Sequence, residues 1–283
     1  MPTTVLISAD MEGATGAAVP EDVIPGSSGW AEARNCWTQD INTVVEALFA
    51  SGADEVLVTD AHAGGSGLET SKIDPRAGMI RGRPRRFGMM EGIDGRVHGT
   101  IFLGYHGTVG SQGVLGHAFM PSGIHALRVN GQPAGEGTIN AQLAGWFGVP
   151  VLLVSGDEAA CEEACRYAPK APRVPTKAAL TRFTARQRPV SAVHRDLAET
   201  TGIALKMLAD GALREPDPPG SAELSAEIEF STENCALAAT AIPGVEQTGA
   251  RSVSYTSSDV PGWYRCLGAI WTIARSARDA SYG

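Results

Sequence analysis

Cysteine is sparse and unpatterned in this chain: five residues, at positions 36, 161, 165, 235 and 266, with no Cys-x-x-Cys pair. That excludes a disulfide framework and a thiolate-built zinc knuckle. The thiols read as free, and Cys161 with Cys165 reads as two small half-buried residues on one helical face. Positive charge is also in deficit, 23 Lys and Arg against 31 Asp and Glu for a formal charge of -8. Nucleic acid and anionic membrane both need a basic footprint, so neither is expected as a partner. No apolar run approaches the length of a bilayer span, and Met1-Pro2-Thr3-Thr4-Val5 lacks the basic-then-apolar order of a leader, so a cytoplasmic protein is expected. Internal repeats and low-complexity tracts are missing too.

The hydrophobic fraction, 43% with 19% charged residues, is that of a folded globular chain. At 283 residues the length suits one large α/β domain or a main domain with a smaller appendage. Thr4 to Ser8 is a short apolar run ending in Ala9-Asp10-Met11-Glu12-Gly13, a buried strand that runs straight into polar groups and glycine. Apolar residues at helical spacing follow from Asn35 to Ala50, then a second strand over Glu55–Asp60, the separation of a βαβ unit. That strand runs into Ala61-His62, and a third, Thr100 to Leu103, into Gly104-Tyr105-His106. Parallel strands would bring all three strand ends to one edge, where α/β proteins place their chemistry.

Ile124 to Val129 with Asn130-Gly131 predicts a hairpin, after which Gly135-Glu136-Gly137 opens a helix through Trp146. Val149 to Val154 predicts another buried strand, and Asp157 to Tyr167 a helix. Basic and proline-rich composition between Pro169 and Arg188 marks a boundary, giving an α/β metal-binding portion over 1–168 and a smaller α+β portion over 169–283. In the latter, a helix is expected over Val193 to Leu213, a linker over Arg214–Gly220, a half-buried strand at Leu224–Phe230 and a last helix from Val260 to Arg278. The fold class expected is α/β, a mostly parallel central sheet flanked by helices, and residues 170–220 default to a surface or oligomer contact.

Zinc takes imidazole nitrogen and carboxylate oxygen, and its catalytic sites keep one position open. Asp10, Glu12, His62, His106 and Glu136 supply that donor set, more than one tetrahedral ion requires, so a dinuclear centre is expected. Taken singly, each has a plain structural reading. Asp60 suits either an acceptor for an imidazole N–H or a loop cap. His117, in a glycine-rich loop, is a candidate acid/base or nucleophile. His125 reads as structural on its strand, while His98 and His194 have no motif context.

Ser8-Ala9-Asp10-Met11-Glu12-Gly13, Val56-Leu57-Val58-Thr59-Asp60-Ala61-His62, Phe102-Leu103-Gly104-Tyr105-His106, Gly116-His117 and Val129-Asn130-Gly131-Gln132-Pro133-Ala134-Gly135-Glu136 together resemble the zinc-dependent D-aminopeptidase family. The resemblance implies that Asp10, Glu12, His62, His106 and Glu136 hold two zinc ions with Asp10 as the bridge, and that His117 is the catalytic histidine. It also implies a decamer of stacked pentameric rings. The activity expected is release of N-terminal, D-configured residues from short peptides, with Asn130 positioning substrate or backbone. An aminopeptidase for L-residues or another zinc amidohydrolase stays open, because handedness is set by pocket shape. Phosphoester hydrolysis is disfavoured, since there is no P-loop and no basic cluster beside the ligands in sequence. A non-catalytic metal-binding protein is the remaining rival, against which the carboxylate-rich set argues.

Overall fold

In a computed structural model describing residues 3–213 and 223–277, the first strand explains the layering of the molecule. β1 (Thr4–Ala9) is buried at every position, as a strand covered on both faces must be. Its side chains alternate between two cores: Val5, Ile7 and Ala9 enter one and Leu6 the other. After it come α1 (Pro20–Val23), α2 (Trp30–Ala50), β2 (Glu55–Asp60), β3 (Gly78–Ile80), β4 (Gly99–Tyr105), β5 (Ile124–Val129), β6 (Gln132–Pro133), α3 (Glu136–Trp146), β7 (Val151–Asp157) and α4 (Glu158–Tyr167). The chain continues through β8 (Arg173–Thr181), β9 (Thr184–Gln187), α5 (Val190–Ala209), β10 (Leu224–Phe230), α6 (Glu233–Ala239), β11 (Glu246–Gln247), β12 (Ser252–Ser257) and α7 (Val260–Ser276).

A seven-stranded sheet runs in the order β3-β2-β1-β4-β7-β8-β9, parallel throughout except for the β8–β9 hairpin. Apolar faces of α2 and α5 cover one side, through Trp37, Ile41, Val44, Val193 and Leu197. On the other side α3, α4 and α7 pack together with the second sheet, antiparallel β11-β12-β10-β5-β6. The expected α/β class is therefore observed. Strands cross the expected 168/169 boundary in both directions: β8 and β9 complete the large sheet, while β5 and β6 join the small one.

The Asn-Gly hairpin is present, with positive φ at both Asn130 (51°) and Gly131 (75°), the geometry its right-handed twist requires. Helix α2 begins at Trp30 rather than Asn35, and α5 spans Val190–Ala209 rather than 193–213. Of the segment left without structure, residues 173–187 form β8 and β9. The linker expected over Arg214–Gly220 lies outside the described residues. Among those described, no helix is long and apolar enough to cross a membrane.

Candidate metal centre

Parallel register aligns the carboxyl ends of β1, β2 and β4: Ala9 pairs with Asp60 on one side and Leu103 on the other. The chain beyond each strand end is therefore delivered to one place, Asp10 and Glu12 after β1, His62 after β2 and His106 after β4. Two glycines make the close approach feasible. A Cβ at Gly13 would collide with the carbonyl oxygen of Tyr105, and one at Gly104 (φ 73°) with that of Asp10. Glu136 enters as the first residue of α3, where the helix N-terminus favours a carboxylate. His117 comes in on the loop after β4, tied down where Asp157 accepts from Val114 N at 2.6 Å while capping α4 through Ala160 N at 2.8 Å.

All six side chains are buried, and each imidazole is anchored on its outer nitrogen. His62 Nε2 lies 2.7 Å from Val23 O, His106 Nδ1 is 3.0 Å from Gly107 O, and His117 Nδ1 is 2.9 Å from Leu115 O. Donation to those carbonyls fixes the tautomer of the neutral ring, in which the inner nitrogen presents a lone pair. Those lone pairs face carboxylates. His62 Nδ1 is 2.9 Å from Glu12 and 3.4 Å from Asp10, and His106 Nε2 is 3.5 Å from both Asp10 and Glu136. His117 Nε2 stands 3.9 Å from Glu12 and 3.8 Å from Glu136.

Acceptor facing acceptor in a dry pocket calls for a cation between them. The buried Asp10 Oδ2 and His106 Nε2 have no hydrogen-bond partner at all, the signature of donors meant for a ligand that is not a protein group. One donor atom each from Asp10, Glu12 and His106 falls within a 4.8 Å cluster, and so does one each from His106, His117 and Glu136. The donor set fits zinc, in number and in kind.

Electrostatics show the same demand for positive charge between these groups, which a proton on the imidazole or a metal cation can meet. Burial, reinforced by the Glu12 carboxylate, pushes Asp10 up to about 7. Burial also works against ionisation of Glu12 and Glu136, but the imidazoles of His62 and His106 respectively help to hold both below the usual carboxylate range. Those two imidazoles are in turn raised well above the ordinary value: burial opposes the rise, and Glu12 and Glu136 overcome it. His117 differs. Burial and the stacked His106 ring, 4.1 Å away and 9° from parallel, lower its pKa, which keeps it neutral and basic at pH 7.

Around this centre lies an open cleft of about 1410 Å³, lined by Met89, Phe119, Met120 and Ile139 and by Tyr264 and Trp271 of α7. No basic cluster adjoins the ligands in sequence, but arginines distant in sequence line the same cleft. Asp60 proves to be the loop cap, accepting from Leu68 N at 2.9 Å. His125, expected among apolar neighbours, is on the exposed side of β5 and lines a smaller cavity of about 770 Å³ on the other side of His117. Asn130 is exposed in its turn, accepts from Ser225 N at 2.9 Å, and does not line the cleft of its own chain.

Several supporting residues escaped the sequence reading. Lys177, completely buried on β8, donates to the backbone carbonyls of Glu12 and Ala14, both at 2.7 Å, and of Ala17; burial pushes its pKa down to about 8. Tyr105 OH, Asn140 and Tyr264 OH form a buried chain, with bonds of 2.8 and 2.7 Å, that ties β4 and α3 to α7. A signal for Asn140 existed: it is four residues beyond Glu136 and so on the same helical face. Glu163 binds Thr138 Oγ1 at 3.0 Å and Thr108 N at 3.3 Å, bracing the segments that carry Glu136 and His106.

Fold and donor set together define the class: an α/β protein with a carboxylate- and imidazole-rich cluster, fit to hold metal, at the carboxyl edge of a parallel sheet. Residues 4–269 match the family model described as D-aminopeptidase, and the chain belongs to that family of peptidases. It is 33% identical over 264 residues to a D-aminopeptidase of Bacillus subtilis, covering 92% of this chain and 94% of the relative. It also superposes, with a TM-score of 0.91, 30% identity and coverage of 98% of this chain and 99% of the other, on the Zn-dependent D-aminopeptidase DppA from Bacillus subtilis, a self-compartmentalizing protease. The shared description does not favour the L-residue, other-amidohydrolase or non-catalytic readings.

Proposed function

We propose that this chain is a zinc-dependent D-aminopeptidase that removes the N-terminal residue from short peptides. The observation that carries the reading is the set of inward imidazole lone pairs facing carboxylates, with Asp10 Oδ2 and His106 Nε2 unpartnered. Asp10, Glu12, His62, His106 and Glu136 would hold two zinc ions per subunit, Asp10 bridging them because its two oxygens face different imidazoles. Such a pair supplies Lewis acidity toward a carbonyl and lowers the pKa of water toward neutrality.

The chain's own residues do the rest. His117, neutral and fixed by Leu115 O, offers Nε2 to take up a proton and return it to the leaving amine. A carboxylate oxygen left free by the metals would receive the N-terminal ammonium, and the apolar walls exclude bulk water. A second reading of His117 has support of its own, since it also falls in a possible ligand group with His106 and Glu136.

Residues 1–168 carry every one of these groups, whereas the portion from 169 onward contributes cleft lining through Arg182, Tyr264 and Trp271. The self-compartmentalizing relative supports an oligomer, and the decamer is what the family resemblance implies. Asn130, outside the cleft of its own chain, would position substrate only in the cleft of a neighbouring copy. The five free thiols suit the cytoplasm.

The test is amino-acid release from matched D- and L-N-terminal di- and tripeptides, with zinc and after chelation. Zinc-dependent cleavage of the D-series is expected. Cleavage of the L-series alone would move the specificity, and no cleavage of either would sink the peptidase reading.

A further inference from the structure

Arg83, Arg85, Arg86, Arg182, Arg265 and Arg275 all line the cleft that holds Asp10, Glu12 and Glu136. They come from three distant segments: the loop after β3, the β8–β9 turn and α7. Among the described residues the ion pairs of arginine are made elsewhere, by Arg34, Arg76, Arg96, Arg188, Arg195 and Arg251. None involves the cleft. In a chain of net charge -8, a wall of guanidinium groups without carboxylate partners is a local field of the opposite sign to the whole.

Carboxylates lie buried at the floor of the cleft, cations stand at its exposed rim, and Met89, Phe119, Met120 and Trp271 lie in the same lining. A short peptide whose N-terminal end lies at the centre would direct its C-terminal carboxylate toward that rim. Arg85 is the best placed of the six. It is half-buried, and the one hydrogen bond its side chain makes within the described residues is Nη1 to Asp60 O, at 2.7 Å. A guanidinium has five N–H donors in a planar fork suited to bidentate carboxylate, so Arg85 keeps most of its capacity uncommitted. Burial of that cation is unfavourable and outweighs the pull of the nearby Asp60 and Glu91 carboxylates, neither of which is in an ion pair with it, and a carboxylate arriving within bonding distance would offset the cost.

We propose that Arg85, with Arg83 and Arg86 beside it at the rim, forms a subsite for the free C-terminal carboxylate of the peptide, restricting the enzyme to very short substrates. This rests on the peptidase reading above.

The experiment compares a dipeptide bearing an N-terminal D-residue with its C-terminal amide, using zinc-loaded wild-type and Arg85→Gln proteins. The wild type should prefer the free acid by about 10- to 100-fold in kcat/KM, the range of a charge-assisted hydrogen bond, mostly through KM. Arg85→Gln should lose that preference while cleaving the amide as before. Equal cleavage of acid and amide by the wild type would overturn the subsite and leave the peptidase reading standing. So would an equal loss on both substrates in the variant, the mark of a structural role. No cleavage of either substrate by the wild type would overturn both. Should the variant fail to fold, the acid-to-amide ratio of the wild type still decides.

Discussion

Replacing Lys177 by methionine removes an ammonium that has no exposure to water and spends its donors on the segment carrying Glu12. The carbonyl of Ala17 keeps a second donor, Gln187 Nε2 at 3.0 Å, but those of Glu12 and Ala14 have no other bond among those seen here. Two buried acceptors left unpaired cost about 1–3 kcal/mol each. Methionine fills similar space and no longer has to hold a charge in a dry site, which offsets part of that loss. The net expectation is a destabilisation of about 2–4 kcal/mol, with zinc affinity falling roughly 10- to 100-fold, as when a group supporting a metal ligand is removed. Denaturant unfolding of the metal-free protein at a fixed subunit concentration gives the first number, and zinc content after dialysis against graded chelator gives the second. A change under about 1 kcal/mol with unaltered zinc retention would refute the claim that Lys177 organises this edge of the sheet.

Four further outcomes are expected. His117→Ala should lower kcat by about 100- to 10,000-fold with zinc content unchanged, as a lost proton carrier would; zinc lost in parallel with activity would make His117 a ligand instead. Asp157→Ala removes both the α4 cap and the bond to Val114 N, so stability should fall by about 2 kcal/mol, and amide exchange should quicken in the 107–117 loop. Unchanged exchange there would show that the loop is held by other contacts. His194, hydrogen-bonded to Asp40 at 3.0 Å, has its pKa raised by that bond. A raised folded-state value means its contribution is complete below about 6.5 and fades as pH climbs through the folded value, so His194→Gln should be less stable than wild type at acidic pH and converge with it at alkaline pH. A gap that widens with pH would reverse the assignment. Chelation should lower the melting temperature and abolish turnover together, and an unshifted melting curve would argue against a metal in the buried cluster.

Local pattern carried the site because Asp10, His62 and His106 sit one or two residues past strands built on apolar runs. β1, β2 and β4 could be located from residues 4–8, 55–60 and 100–103 alone, and parallel pairing did the rest. β8 stayed hidden for the opposite reason: Arg173, Pro175 and Lys177 interrupt its alternation, and Lys177 faces inward only because carbonyls from residues 12–17 await it there. The arginine rim was equally invisible, since residues 83–86, 182 and 265–275 meet only once the sheet and α7 are assembled. The start of α2 at Trp30 depends on tertiary packing as well, for Trp30 and Trp37 both set their rings about His62 at 6.1 Å.

The interleaving of the two sheets has a consequence for how the chain is made. β5 pairs with β10, Leu127 opposite Ile228, so the strand leaves the ribosome roughly a hundred residues before its partner, a long wait for a non-local contact. Glu136 follows that hairpin directly, and α7, which lines the cleft, is synthesised later still. Nascent chains released before β10 would carry all the candidate metal donors yet leave β5 an exposed, unpaired strand edge. Such fragments should be substrates for chaperones and quality-control proteases rather than weakly active enzymes, and metal loading should coincide with the end of translation.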